Sequence, residues 1–351
     1  MGLTSTIKEY SSVKRSTSKS KVVKEVFNYS NIECQDELKR LVVNEVGKNV
    51  LTFCERHLKL SNDITFVTST NTRFNIDKLK KGKFTNVINL QRINNVRWVN
   101  KFFESVNGKI EIGGIYINSV ETYTTRRIRI LRRLIPPFNY FLYTADIFIT
   151  RVFPKVPFTK KIYFFITKGH GRVLSRAETF GRLYSCGFEI VDEQLIGDEL
   201  FFVARKIKEP VFDNNPTYGP IIRLKRHGKG GKLFNVYKLR TMHAYSEYLQ
   251  QYVYEHNDLM EGGKFKNDFR ITTEGQIFRK FWIDELPMFI NVFKGNMKIV
   301  GVRPLSKHYF SLYSDELKQK RIKFKPGLVP PFYVDNPKTL ETAIAMQGMK
   351  K

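Results

Sequence analysis

The sequence predicts an α/β fold in two units, a larger sheet domain followed by a smaller mixed α/β domain. Three observations carry this expectation. Short apolar runs of strand length alternate with helix-period stretches from about Ile32 to Lys206. The composition then breaks at Pro210 and Asp213-Asn214-Asn215-Pro216, as a linker would. Beyond the break, strand and helix signals resume, and 351 residues are enough to bury two cores.

Taken in order, residues 1–32 read as a flexible basic arm rich in Ser, Thr and Lys, without the apolar stretch of a secretory signal. Residues 33–207 form the expected sheet domain. Ile64–Thr68 and Asn86–Leu90 have the apolar, β-branched character of buried strands. Val96, Val99, Phe102, Phe103 and Val106 then recur at helical spacing, and the helix should stop near Asn107-Gly108. Gly113-Gly114 precedes a further strand at Ile115–Ile117. Ser175 and Glu178 are spaced as a capping box for a helix that stops at Cys186-Gly187. Phe188–Val191 and Leu200–Ala204 close the domain as a pair of strands. Residues 208–217 are the linker, and residues 218–351 the second domain.

The formal net charge of +27 requires an anionic partner: nucleic acid, an acidic membrane surface or a phosphate-bearing substrate. Nucleic acid is disfavoured because no zinc-finger spacing, RNP signature or comparable recognition motif is present. Cys34, Cys54 and Cys186 are far apart and lack metal-ligand spacing, which suits structural thiols in a reducing compartment. No uninterrupted apolar run reaches transmembrane length.

One insert within the first domain, residues 126–165, stands apart. It begins with Arg126, Arg127, Arg129, Arg132 and Arg133, continues through Phe138, Tyr140, Phe141 and Phe148, and ends near Lys160-Lys161. Aromatic and aliphatic groups flanked by cations suit an anionic membrane surface. Asp146 near the centre argues against full immersion. The alternative is a helical lid packed on the sheet.

The order of elements around the Asn86–Leu90 strand, the Gly113-Gly114 turn and the closing strand pair resembles the second half of a class I methyltransferase. That resemblance implies a Rossmann-like sheet. In that family a glycine-rich loop holds the cofactor, and no glycine occurs from Lys48 to Lys81. The first domain therefore reads as a degenerate, methyltransferase-like sheet without S-adenosylmethionine chemistry.

The second domain carries the chemistry. Leu286, Phe289, Ile290 and Phe293 fall on one helical face, Gly295 is placed to end that helix, and Pro287 is tolerable only in a first turn. The helix should therefore begin at Asp284-Glu285, which puts two carboxylates at its positive end. Adjacent helical side chains diverge by about 100°, so one acid can face a substrate while the other holds a metal or a proton. Lys238, Arg240, Arg279 and Arg303 offer the cations a diphosphate requires. Gly228, Gly230 and Gly231 are spaced for a tight hairpin turn and do not match a P-loop.

Gly219-Pro220, Tyr237-Lys238-Leu239-Arg240-Thr241-Met242, Asp284-Glu285-Leu286-Pro287, Gly301-Val302-Arg303-Pro304 and Lys325-Pro326-Gly327 occur in this order over the last third of the chain. Together they resemble the bacterial sugar transferases, monotopic polyprenol-phosphate phosphoglycosyl transferases. The resemblance implies transfer of a phospho-sugar from a UDP-sugar to polyprenol phosphate through an aspartyl-phosphosugar intermediate, the first membrane step of polysaccharide or glycoconjugate assembly. It implies Asp284 as nucleophile, Glu285 as a ligand for Mg²⁺ or a proton-handling partner, and Lys238, Arg240, Arg279 and Arg303 as phosphate-contacting or site-ordering groups. It further implies a place at the cytoplasmic face of the bacterial inner membrane, peripheral or monotopic. The chain departs from the family in having a polar linker where an apolar re-entrant helix precedes Gly219-Pro220. Met288 stands where the family has Gln, and Val329-Pro330-Pro331-Phe332 replaces its tail. An alternative reading is a catalytically inactive adaptor in the same glycan pathway.

Overall fold

A computed structural model describes residues 32–60, 64–154, 156–212, 219–256, 268–311 and 313–330. Nearly all of the basic arm, residues 213–217 of the linker, Tyr218 and the tail from Pro331 lie outside the described residues.

The first unit opens with α1 (Ile32–Val46) and α2 (Lys48–His57), followed by β1 (Thr65–Thr68), the one-turn α3 (Phe74–Asp77), β2 (Asn86–Asn89), α4 (Val99–Asn107) and β3 (Ile115–Val120). An excursion of three helices follows: α5 (Tyr123–Arg133), α6 (Phe138–Ile147), which runs on as a π-turn over Phe148–Val152, and α7 (Pro157–Thr167). The chain returns through α8 (Arg176–Ser185), β4 (Phe188–Ile196) and β5 (Glu199–Lys206). These strands make one sheet in the order β1-β2-β3-β5-β4. β1, β2 and β3 are parallel, with Thr65 opposite Asn86 and Val87 opposite Tyr116. The closing pair β4–β5 is antiparallel, and β5 runs antiparallel along β3 with Tyr116 opposite Ala204. The expected α/β class and each expected strand of the first unit are present.

Both faces of the sheet are covered over its centre, where β2 and most of β3 and β5 are buried, while β4 at the edge carries Glu189, Asp192, Glu193 and Gln194. On one face Phe102, Phe103 and Val106 of α4 and Phe180 and Leu183 of α8 pack with Tyr116 and Phe202. On the other, Val50, Phe53 and Cys54 of α2 meet Ile88, Ile117 and Val203. Cys54 and Cys186 are buried free thiols, and burial pushes each up to about 12, as inert structural cysteines require. Lys206 is buried, with its ammonium donating to the carbonyls of Asn107 and Ile110 and to Glu209.

The capping box is corrected. The Ser175 hydroxyl accepts from the Glu178 amide at 2.9 Å, but the Glu178 carboxylate turns to Arg182 instead of back to the cap. The reciprocal box lies at Thr122 and Thr125, at the start of α5. Within the insert, Phe138, Phe141, Phe158 and Phe165 are exposed, while Ile130 and Tyr163 are buried. Among the described residues, no helix is long and apolar enough to cross a membrane.

The second unit begins with the hairpin β6 (Ile221–His227) and β7 (Leu233–Leu239), with Ile222 opposite Lys238. Gly230 and Gly231 turn it at φ 68° and 74°, so the glycine run is a turn, as its spacing predicts. A 3₁₀ turn (Ser246–Leu249) leads into α9 (Gln250–His256). Then come α10 (Thr273–Lys280), a 3₁₀ turn (Ile283–Met288), α11 (Phe289–Phe293), β8 (Lys298–Val300), α12 (Lys307–Ser311), α13 (Asp315–Ile322) and β9 (Gly327–Val329), which pairs parallel with β8. A Cβ on Gly327 would meet the Gly301 amide nitrogen at 2.1 Å, so the chain just past β8 and the start of β9 touch backbone to backbone at the two motif glycines. One segment of this unit leaves it. Leu249, Tyr252 and Val253 are buried in the core of the first sheet, and the Tyr245 hydroxyl accepts from Asn100 at 2.8 Å.

Candidate active site

Asp284 and Glu285 lie in the 3₁₀ turn Ile283–Met288, not in the first turn of an α-helix. The reason is local. α10 ends at Lys280, and the chain reverses through Trp282, which sits in the left-handed region at φ 58°. Pro287 then has no N–H to extend an α-helical ladder. Only the five residues of α11 become α-helical before Gly295, at φ 71°, ends the element as expected. The apolar face of Leu286, Phe289, Ile290 and Phe293 is turned to the surface, with Phe293 87% exposed.

The turn is held from beneath. Asn291 is fully buried; its carboxamide accepts from the Tyr237 amide at 3.1 Å and donates to the Asn235 carbonyl at 2.7 Å. This pins α11 to β7. Met288 packs with Val236 and Met297 on the same side. α10 is held against the end of β7 in a similar way. The Thr272 amide donates to the Thr241 carbonyl at 3.0 Å, and a Cβ on Gly275 would meet that carbonyl oxygen at 2.1 Å. Arg279 Nε donates to the Thr241 hydroxyl at 2.9 Å.

The two acids share one cation. Lys238, on β7, donates to Glu285 Oε1 at 2.5 Å, and its ammonium lies 4.0 Å from Asp284 Oδ2. The expectation that adjacent carboxylates diverge to separate tasks is thus modified, since both reach the same ammonium. The Asp284 carboxyl is held above its ordinary value, first by burial and then by the neighbouring Glu285 charge; Lys238 and Arg279 pull the other way. A carboxylate kept short of solvent is more basic and more nucleophilic than a free one.

Lys238 and Arg279 are therefore brought to the acidic pair. Among the described residues, Arg240 is tied elsewhere: its Nε donates to the Gly219 carbonyl at 3.0 Å and its amide to the Pro220 carbonyl, joining the start of the second unit to the end of β7. Arg303 lies beside Arg226, whose guanidinium is held below its ordinary value by burial and by the Arg303 charge. Among the described residues, neither Arg279 nor Arg303 forms an ion pair. Thr241 and Asn291 were not foreseen as site-building residues. A lone buried amide in an otherwise apolar helix was the only available signal for Asn291.

Among the described residues, no cluster of three or more His, Cys, Asp or Glu side chains could cage a metal ion. Two adjacent carboxylates are nevertheless a donor set that suits Mg²⁺, which binds through one or two carboxylates while substrate phosphates and water complete its shell.

Comparison with known proteins decides the family of this part. The bacterial sugar transferase family matches residues 212–347, a stretch that contains the hairpin, the acidic turn and both motif glycines. Residues 212–347 belong to the bacterial sugar transferases. The chain is 42% identical over 141 residues to a galactosyl transferase, CpsE, of Streptococcus agalactiae, covering 40% of this chain and 30% of that one. It is 35% identical over 126 residues to an uncharacterized sugar transferase, EpsL, of Bacillus subtilis, covering 36% of this chain and 52% of that one. It is 36% identical over 109 residues to an undecaprenyl-phosphate galactose phosphotransferase of Salmonella typhimurium, covering 30% and 23%. The chain thus spans about half or less of the length of these relatives. Among solved structures, a 16S rRNA N2 G1207 methyltransferase of T. thermophilus covers 48% of this chain and 30% of its own, at 10% identity and a TM-score of 0.18. A likeness that slight decides nothing about the first unit.

Proposed function

We propose that this chain transfers a phospho-sugar from a UDP-sugar to a polyprenol phosphate, at the cytoplasmic face of the bacterial inner membrane. The observation that carries this reading is the convergence of Asp284 and Glu285 on Lys238, with Arg279 alongside, inside a sugar-transferase region. The names of relatives that act on undecaprenyl phosphate support the acceptor class.

In the first step an Asp284 carboxylate oxygen attacks the β-phosphorus of the UDP-sugar. A P–O bond forms to Asp284, and the bond from that phosphorus to the bridging oxygen breaks, so UMP leaves with the electron pair. In the second step a phosphate oxygen of the polyprenol phosphate attacks the same phosphorus. The bond to Asp284 breaks, the carboxylate is restored and the sugar is left on a lipid diphosphate. Lys238 offsets charge that builds on the transferring phosphate, and Glu285 holds that ammonium in place. Arg279, fixed through Nε on Thr241, has its two terminal nitrogens available to a diphosphate oxygen. Arg240 orders the strand end, and Arg303 with Arg226 forms a separate cationic pair for a distal phosphate. Mg²⁺, held by Glu285, would supply further neutralisation of the diphosphate.

The test is UMP release from a panel of UDP-sugars with undecaprenyl phosphate and Mg²⁺. Wild type should release UMP, a sugar-phosphate adduct should map to Asp284, and Asp284→Asn should abolish both with folding intact. Unchanged turnover in Asp284→Asn would sink the nucleophile assignment. UDP-sugar binding without UMP release in wild type would leave the inactive adaptor as the better reading.

A further inference from the structure

The excursion between β3 and α8 is built inside out. α7 places Phe158, Ile162, Phe165 and Ile166 at helical spacing on one face, and that face is turned to solvent, with Phe158 83%, Phe165 84% and Ile166 72% exposed. α6 does the same with Phe138 and Phe141, 70% and 78% exposed, and the α5–α6 turn adds Ile135 at 81%. The polar groups lie inside. Glu121, almost fully buried at the end of β3, accepts from Arg129 Nε at 2.6 Å and from Arg126, and Arg126 in turn grips both oxygens of Asp146. Tyr163 of α7 is buried on this inner side, within the fields of Arg126, Asp146 and Arg172. Apolar surface of this extent, outside a polar interior, needs a partner.

Charge identifies the partner. From Arg126 to Lys161 the sequence has nine arginines and lysines and a single acid, Asp146. Asp146 is neutralised by Arg126 on the inner side, so the one feature that spoke against membrane contact is removed from the outer surface. With Arg126 and Arg129 held on the inner side, Arg127, Arg132, Arg133, Lys160 and Lys161 are exposed, so the outer surface is apolar and cationic, a combination that binds an anionic bilayer more strongly than a neutral one.

The excursion is also rigidly rooted beside the site. The buried Asn94 carboxamide clasps both its ends, donating to the carbonyls of Glu121 at 2.8 Å and Arg172 at 2.7 Å while accepting from the Glu121 amide. Tyr123, in the first turn of α5, is half-buried between the Arg151 guanidinium, 4.1 Å from its ring centre, and the His243 ring at 5.7 Å. His243 is two residues beyond Thr241, which holds Arg279.

We propose that this helical excursion, Tyr123–Thr167, docks the protein on anionic bilayers and so brings the sugar-transferase region to the lipid surface. The docking stands on the excursion alone; the delivery of a lipid acceptor to Asp284 rests on the function proposed above. This seat lies in the first unit, between β3 and α8, whereas the sequence offers only a polar linker before Gly219.

The test is flotation of the full-length protein with vesicles of phosphatidylcholine alone or with phosphatidylglycerol added. Wild type should float with the anionic vesicles and far less with the neutral ones. Replacing three exposed aromatics together (Phe141→Ser, Phe158→Ser, Phe165→Ser) should lower the bound fraction by roughly tenfold or more without changing the melting temperature. Arg132→Glu with Arg133→Glu should weaken binding to anionic vesicles only. Asp284→Asn should float like wild type, which separates docking from catalysis. The triple variant should release UMP normally with a short, detergent-dispersed polyprenyl phosphate and slowly when the acceptor is embedded in vesicles. Failure of wild type to bind anionic vesicles, or equal binding by the triple variant, would overturn the proposal. So would loss of self-association or of RNA binding as the only effect of the triple variant.

Discussion

At the scale of single residues, Asp284 is the group whose environment departs most usefully from water. Its carboxyl is raised above its ordinary value of 3.8 by burial and by Glu285, against the pull of Lys238 and Arg279. The sign of the stability effect follows. A raised folded-state value favours the protonated acid in the fold, so that contribution is fully present below 3.8 and is lost as pH rises through the folded value. At neutral pH the fold carries an ionised Asp284 at a cost. Asp284→Asn holds the uncharged form at every pH, so its melting temperature should exceed that of wild type at neutral pH, and the difference should close in acid. Thermal unfolding of the two proteins across that range checks this. A variant less stable than wild type at neutral pH would mean that the ion pair with Lys238 outweighs the burial.

At the scale of elements, the acidic turn is placed by contacts made beneath it, above all by Asn291. Asn291→Ala leaves the Tyr237 amide and the Asn235 carbonyl without their buried partner. An unsatisfied group costs about 1–3 kcal/mol when buried and less where water reaches it, as at the exposed Asn235, so the loss should be roughly 1–3 kcal/mol, measured by denaturant unfolding. UMP release should fall with it, since α11 would no longer fix the 3₁₀ turn. An unchanged midpoint would show that water replaces the amide freely. Elements of this kind mark the limit of what was legible in the sequence. The strands Thr65–Thr68, Asn86–Asn89 and Ile115–Val120 were readable because apolar runs bounded by turn residues have few alternatives. The acidic pair and its lysine were readable because their motifs resemble a known family. The 3₁₀ geometry was not, because it depends on Trp282 in the left-handed region and on where α10 stops. Nor was the outward-facing apolar stripe at Leu286, Phe289 and Phe293, since periodicity reveals a face without saying what covers it.

At the scale of the whole molecule, the two units are joined through the segment that follows β7. Leu249 is fully buried among Phe180, Leu183 and Phe202 of the first sheet, although it belongs to the sugar-transferase region by sequence. A Cβ on Gly181 of α8 would meet the Tyr245 carbonyl oxygen at 2.2 Å, so the contact is backbone against backbone and tolerates little sliding. Two units sharing a core should unfold together. The chain has two tryptophans, Trp98 beside the first sheet and Trp282 beside the acidic pair, so each unit has its own fluorescent reporter. Single-tryptophan proteins carrying Trp98→Phe or Trp282→Phe should give coincident unfolding curves. Leu249→Ala empties a buried site and should cost about 2–5 kcal/mol. It should shift the Trp282 and Trp98 transitions by the same amount, although the lesion lies in the first core. If only the Trp98 transition moved, the units would fold independently, and the acidic turn would gain nothing in stability from the sheet on which its neighbour segment rests.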